Sequence, residues 1–307
     1  MARAIFDMTN RKTETGTYLM LFTGMALFGS ATPLSSLVTR AFPVFVAGGI
    51  RVLLAFLVLL PFVKLNNLKQ YKGRDRWFLL GISLFGVLGF TALMLYGMKL
   101  VSGVTGSLVM STTPAVTAIL SVIFFKDEVN WTKILALLLS VGGVVLLQLA
   151  GDKSGSKNHD LGGIILIFLA VCCEACYTLM GKALTKSYPP IEVSAFSAII
   201  AFICFIPFII WQWPQFHYSK IDPGNWFYII AYGIITMGLG SVLWYKGVTK
   251  VQGSVAASFM GVMPLSALAL SYLLLHEEFR WVHLAGFSLV FSGVLLMIKV
   301  HREMMKK

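Results

Sequence analysis

The chain has 307 residues, 57% of them hydrophobic and 12% charged, about half the charge of a soluble domain. Folded in water it would expose large apolar patches, which excludes a soluble globular fold. The net charge of +12 sits in short islands between apolar runs, with no basic stripe interleaved with aromatics. Nucleic acid is therefore excluded as a partner, and a lipid bilayer takes that place.

Residues 1–17 are polar and mixed in charge. The apolar run that follows is too long for a signal peptide and lacks a small-residue cleavage pattern, so it reads as a retained first helix. Ten runs approach or exceed the 18–20 residues that cross about 30 Å of hydrocarbon. They cover 18–38, 44–63, 77–96, 103–125, 131–149, 161–184, 193–211, 226–245, 253–275 and 282–298. The predicted organisation is a tail (1–17), a first five-helix unit (18–149), a linker (150–160), a second five-helix unit (161–298) and a tail (299–307). The fold class is all-α integral membrane.

Lys and Arg set the orientation. With the N-terminus inside, 18 of the 25 basic residues fall in inner segments or, as Lys133 and Lys182 do, at the inner ends of spans, 6 fall in outer segments, and Arg51 lies deeper within a span. Both termini are thus expected in the cytoplasm, with the chain in the cell's inner (cytoplasmic) membrane.

The two units repeat each other. At an offset of 146, Gly16, Pro43 and Pro61-Phe62 meet Gly162, Pro189 and Pro207-Phe208. At an offset of 150, Gly97, Gly103, Pro114, Glu128, Trp131 and Gly143-Val144 meet Gly247, Gly253, Pro264, Glu278, Trp281 and Gly293-Val294. Five spans per unit turn the second unit over in the membrane. Such inverted repeats belong to carriers that alternate their access around a site at their interface.

On the segments Phe45-Val-Ala-Gly-Gly-Ile-Arg51-Val-Leu-Leu-Ala55, Gly103…Pro114…Glu128-Val-Asn-Trp131 and its copy Gly253…Pro264…Glu278-Phe-Arg-Trp281, the chain resembles the drug/metabolite transporter superfamily, in its ten-helix EamA form. The resemblance implies one ten-helix domain around a central cavity, and export or exchange of small metabolites such as amino acids. A lipid-linked substrate flippase and a passive channel are the rival readings.

Several residues stand out within the spans. Glu174 is an acid in mid-span, where insertion costs at least about 2.5–3.5 kcal/mol. It is expected to face a cavity and to hold a proton or meet a cationic group of the substrate. Arg51 keeps its charge in any environment and is read as a gating or structural residue. Pro114 and Pro264 each remove a backbone bond to the carbonyl four residues earlier, at Met110 and Met260, and are read as hinges. Tyr177, Thr178, Ser30, Thr32, Ser111, Thr112, Ser241, Trp244 and Ser258 complete the expected substrate pocket, which calls for an apolar wall with a few polar groups. Glu128 and Glu278 are read as helix-start residues.

Cys172, Cys173, Cys176 and Cys204 lie in apolar runs and read as packing residues. His159, His217, His276, His283 and His301 lack metal-site spacing. No phosphate-binding glycine loop and no Ser-His-Asp arrangement occurs. The expectation is therefore a non-enzyme without metal or cofactor, whose partners are a small-molecule substrate, the bilayer and protons.

Overall fold

The computed structural model describes residues 2–113, 160–218, 221–250, 259–276 and 281–304, and scattered positions between 115 and 142. The chain folds into helices: α1 (Ala2–Gly29), α2 (Ala31–Val38), α3 (Val44–Leu59), α4 (Gly73–Gly81), α5 (Phe90–Gly97), α6 (Gly103–Met110), α7 (Leu161–Leu184), α8 (Pro190–Gln212), α9 (Pro223–Ala231), α10 (Gly240–Val248), α11 (Val262–Leu275) and α12 (Trp281–Met304). A π-helical segment, Ile82–Gly89, joins α4 to α5, and another, Tyr232–Leu239, joins α9 to α10. These joints make continuous rods. Among the described residues, six stretches are long and apolar enough to cross a membrane: Gly16–Val38, Val44–Phe62, Gly73–Gly97, Leu161–Leu184, Pro190–Gln215 and Pro223–Val248. They coincide with the first, second, third, sixth, seventh and eighth runs of the sequence, within a few residues at each end.

Local chemistry sets the boundaries. Pro43 and Pro189, extended at ψ 143° and 133°, precede α3 and α8, as proline's fixed φ suits the entry to a helix. Asp160 caps α7, its Oδ1 accepting from Gly163 N at 3.2 Å, and Ser102 caps α6 through Thr105 N at 3.1 Å; each bond satisfies an orphan helix donor. α11 ends at His276 in the left-handed region, φ 51°.

The two π segments begin 150 residues apart, at the later offset of the sequence repeat, and the two entry prolines stand 146 apart, at the earlier one. Trp131 and Trp281, also 150 apart, are 74% and 77% exposed. Equivalent positions thus hold equivalent conformations and environments in both halves.

α3 and α8 pack against each other as an antiparallel pair. At one end Gln212 Oε1 accepts from Phe45 N at 2.7 Å, and Gln212 Nε2 donates to Tyr96 Oη at 3.1 Å. At the other end Asn67 Nδ2 donates to Glu192 Oε1 at 2.6 Å. Leu21, Met25, Val52, Ala55, Met94, Ile167, Val171, Phe196 and Phe205, all at most 1% exposed, form the core between the rods. Phe22, Leu57, Leu169, Ile203, Leu239 and Trp211 point outward. Such apolar outer faces are what a lipid environment requires.

Candidate functional site

A cavity of about 40 Å3 lies among the helices, room for roughly three waters at about 10–15 Å3 each. Phe28 of α1, Ala31 of α2, Arg51 of α3 and Phe90 of α5 line it, with Gly86 and Val87 from the first π segment. Glu174, Tyr177 and Thr178 of α7 and Thr236 and Met237 of the second π segment complete the lining. Positions 174, 177 and 178 share one helix face because residues three and four apart stack along a helix. A π segment widens the turn locally and is a recurrent feature of functional sites.

Four pairs of these residues are counterparts under the repeat. Phe28 and Ala31 stand 146 positions before Glu174 and Tyr177; Gly86 and Val87 stand 150 before Thr236 and Met237. The cavity therefore lies where like segments of the two halves meet. Its two sides differ chemically: the first-half positions are apolar or bare, and their counterparts carry a carboxyl, a phenol and a hydroxyl.

Arg51 is buried, 5% exposed, and pairs with no carboxylate among the described residues. Its Nη1 donates to Thr91 Oγ1 at 2.9 Å and to Tyr232 Oη at 3.0 Å. The guanidinium carbon lies 4.1 Å from the Tyr232 ring centroid and 5.8 Å from that of Phe90, the geometry of cation–π attraction. Ser35 Oγ donates to Tyr232 Oη at 2.8 Å, so α2, α3, α5 and the second π segment meet on one polar chain. Glu174 Oε2 accepts from Thr113 Oγ1 at 3.1 Å.

Tyr177 is held between two rings. It stacks on Tyr245 with centroids 5.1 Å apart and meets Phe28 edge-on at 6.5 Å. Tyr245 Oη donates to the Tyr177 carbonyl at 3.3 Å. A Cβ on Gly86 would come within 2.7 Å of Tyr177 Cβ, so the bare position lets α7 approach the first π segment.

Of the residues singled out in the sequence, the structure brings Glu174, Tyr177, Thr178 and Arg51 to the cavity. Ser30 sits at the break between α1 and α2 and reaches Thr236 Oγ1 at 2.6 Å, one step behind the wall. Thr32 packs on Gly106. Ser241 donates to Gly238 O at 3.2 Å. Trp244 is fully buried, its backbone lies close against Gly24, and its Nε1 has no hydrogen-bond partner among the described residues. Ser111 and Thr112 donate to Leu108 O and Val109 O, at 2.5 and 2.7 Å, where α6 ends. Thr113 Oγ1 lies 2.7 Å from Met110 O, the carbonyl expected to lose its partner to Pro114. Three successive hydroxyls thus serve the last carbonyls of α6. Pro114, Ser258, Glu128 and Glu278 lie outside the described residues, as does the side chain of Pro264, whose backbone is within α11.

The EamA-like transporter family model matches residues 15–149 and again 161–299. The chain belongs to the EamA-like transporter family. Its two matches start 146 and end 150 residues apart, the same pair of offsets found in the sequence. Similar proteins include the uncharacterized transporters YetK and YyaM of Bacillus subtilis. YetK is 34% identical over 94% of this chain and 88% of its own length. YyaM is 27% identical over 80% and 79%. A solved crystal structure of 14% identity shares the fold with a TM-score of 0.66, over 94% of this chain and 99% of the other. This EamA-like protein is accordingly a multi-pass membrane protein of a transporter family, and the cavity between its halves is the candidate site.

Thr236, Phe28, Ala31, Gly86, Val87, Phe90 and Met237 were not among the residues expected to line the pocket. The repeat was the available signal: counting back 146 from Glu174 and Tyr177 lands on Phe28 and Ala31.

Proposed function

We propose that the chain is a secondary transporter moving a small organic metabolite, an amino acid or related compound, by alternating access, in export or exchange. In this reading ten helices form two inverted five-helix repeats around the central cavity. The observation that carries it is that four pairs of repeat counterparts line one cavity. Two halves of similar sequence can exchange conformations, so a site on their shared axis faces each side in turn. The cavity is too small for a metabolite, so the halves must separate to load one.

The same reading places both termini in the cytoplasm of a cell whose inner membrane holds the chain. Contacts between loops support a common side for the basic segments. Tyr71, in the loop that carries Lys64, Lys69 and Lys72, stacks on Tyr188, which follows Lys182 and Lys186. Phe42 packs against Trp226 and Phe216 at segments poor in basic residues.

The test is uptake of labelled metabolites into proteoliposomes, with and without unlabelled compound inside and with and without a pH gradient. Saturable uptake accelerated by preloading is expected. Uptake that neither saturates nor responds to preloading would overturn the carrier reading in favour of a passive channel.

A further inference from the structure

We infer that Arg51 is the anion subsite of the cavity, binding one carboxylate of the transported compound through its Nε edge. The inference rests on the transport reading above and deepens it by fixing a charge that the substrate must bear.

Both bonds from the guanidinium leave from Nη1, toward Thr91 and Tyr232. These fix its plane and leave the other edge over. Nε is buried and has no hydrogen-bond partner among the described residues. In an arginine, Nε–H and the adjacent Nη2–H point the same way and form a fork that matches the two oxygens of a carboxylate. A buried donor without an acceptor is costly, and a buried cation without an anion more so. Arg51 has both deficits and lines the cavity. The Tyr232 and Phe90 faces offset part of the charge without using the N–H groups.

Glu174 does not supply the missing anion. It lines the same cavity, yet no ion pair joins it to Arg51, and its Oε2 is turned to Thr113. The two charges therefore remain separate features of the wall. The apolar surface nearby, from Phe28, Val87 and Met237, suits an aliphatic or aromatic tail on the carboxylate. The class of ligand is a small monocarboxylate with an apolar side group, with or without an ammonium that Glu174 can meet.

A matched series tests this on the wild-type protein, independently of how any variant folds. L-leucine carries carboxylate, ammonium and an isobutyl group; 4-methylpentanoate lacks the ammonium; 3-methylbutylamine lacks the carboxylate. Each is offered as competitor to whichever labelled metabolite the liposome panel shows to be carried. Leucine and 4-methylpentanoate are expected to compete, and the amine to compete at least tenfold more weakly, as loss of a charged hydrogen bond is worth about 10- to 100-fold. Arg51→Gln is expected to raise the KM for carboxylates by a similar factor, with partial rescue by Arg51→Lys.

Competition by the amine as strong as by the acids would overturn the subsite while leaving transport intact. So would competition by none of the three while another metabolite is carried, or an unchanged KM in a folded Arg51→Gln protein. No transport of any compound would remove both readings together.

Discussion

Tyr71 and Tyr188 stack face to face, their ring centroids 3.9 Å apart and their planes inclined by 13°. The stack ties the loop after α3 to the turn between α7 and α8. Tyr188 Oη donates to Asp75 Oδ2 at 2.9 Å, and Phe196 meets Tyr71 in a T-shaped pair, centroids 5.8 Å apart. Tyr71 is 1% exposed and its hydroxyl has no hydrogen-bond partner among the described residues. Burial first, and then the nearby acids Glu192 and Asp75 with Tyr188, push its phenol well above the ordinary tyrosine value. A raised acid pKa in the folded state means that the unfolded chain releases its proton first. Stability from this site is whole below about pH 10 and falls as the pH rises above it. Tyr71→Phe deletes an unsatisfied hydroxyl and the titration with it. The variant should match or exceed the wild type at pH 7, by up to about 1 kcal/mol, and lose less stability above pH 10. Thermal unfolding in detergent at pH 7 and pH 10.5 checks both signs.

Close packing between α3 and the second π segment makes a separate prediction. A Cβ on Gly233 would lie 2.8 Å from the Arg51 carbonyl and 2.8 Å from Leu54 Cβ. A backbone atom cannot step aside as a side-chain end can, so Gly233→Ala must shift α3 and move Arg51. A loss of about 1–3 kcal/mol is expected. Gly224, near the start of α9, has nothing within 4 Å of its absent Cβ, and Gly224→Ala should change stability by less than about 0.5 kcal/mol. The pair, read by thermal unfolding, separates a packing effect from a general intolerance of alanine.

How much of this was legible beforehand depended on what a residue announces. Long apolar runs announce themselves, and six of them return as membrane-length helices. Glu174 and Arg51 announced themselves because charge in a span is expensive. Ser111 and Thr112 were read as pocket residues, and the structure has them bonding their own helix end; a hydroxyl near a proline carries the same letter in either role. Phe28, Val87 and Met237 line the cavity with side chains no different from dozens facing lipid. The π segments left no local mark, since their glycines also suit ordinary close packing. Only the repeat offset linked such residues to the chemically conspicuous ones.

Sidedness is open to direct labelling. Gln70 and Gln215 are exposed, in loops at opposite ends of the α3–α8 pair. With Cys172, Cys173, Cys176 and Cys204 replaced by alanine, Gln215→Cys should react with an impermeant maleimide on intact cells. Gln70→Cys should react only after permeabilisation. The reverse pattern would turn the chain over and place the five basic residues of the 64–76 loop outside.

The last prediction concerns Thr113 and Glu174. The Thr113 hydroxyl has one proton and lies 2.7 Å from Met110 O and 3.1 Å from Glu174 Oε2. It serves both acceptors only in turn while Glu174 is ionised. A proton on Glu174 lets both bonds form together, with Glu174 donating to Thr113 and Thr113 to Met110. Protonation would thereby settle the end of α6 just before Pro114. If a proton is carried, Glu174→Gln supplies a permanent donor and should hold one state. Transport by that variant should lose its response to a pH gradient, with turnover reduced about 10- to 100-fold if the missing step is worth one charged hydrogen bond. Thr113→Val removes the shared hydroxyl and should slow turnover while leaving the pH response in place. Initial uptake rates between pH 5.5 and 8.5 decide it: a Glu174→Gln protein with wild-type rates and an unchanged pH profile would show that Glu174 carries no proton.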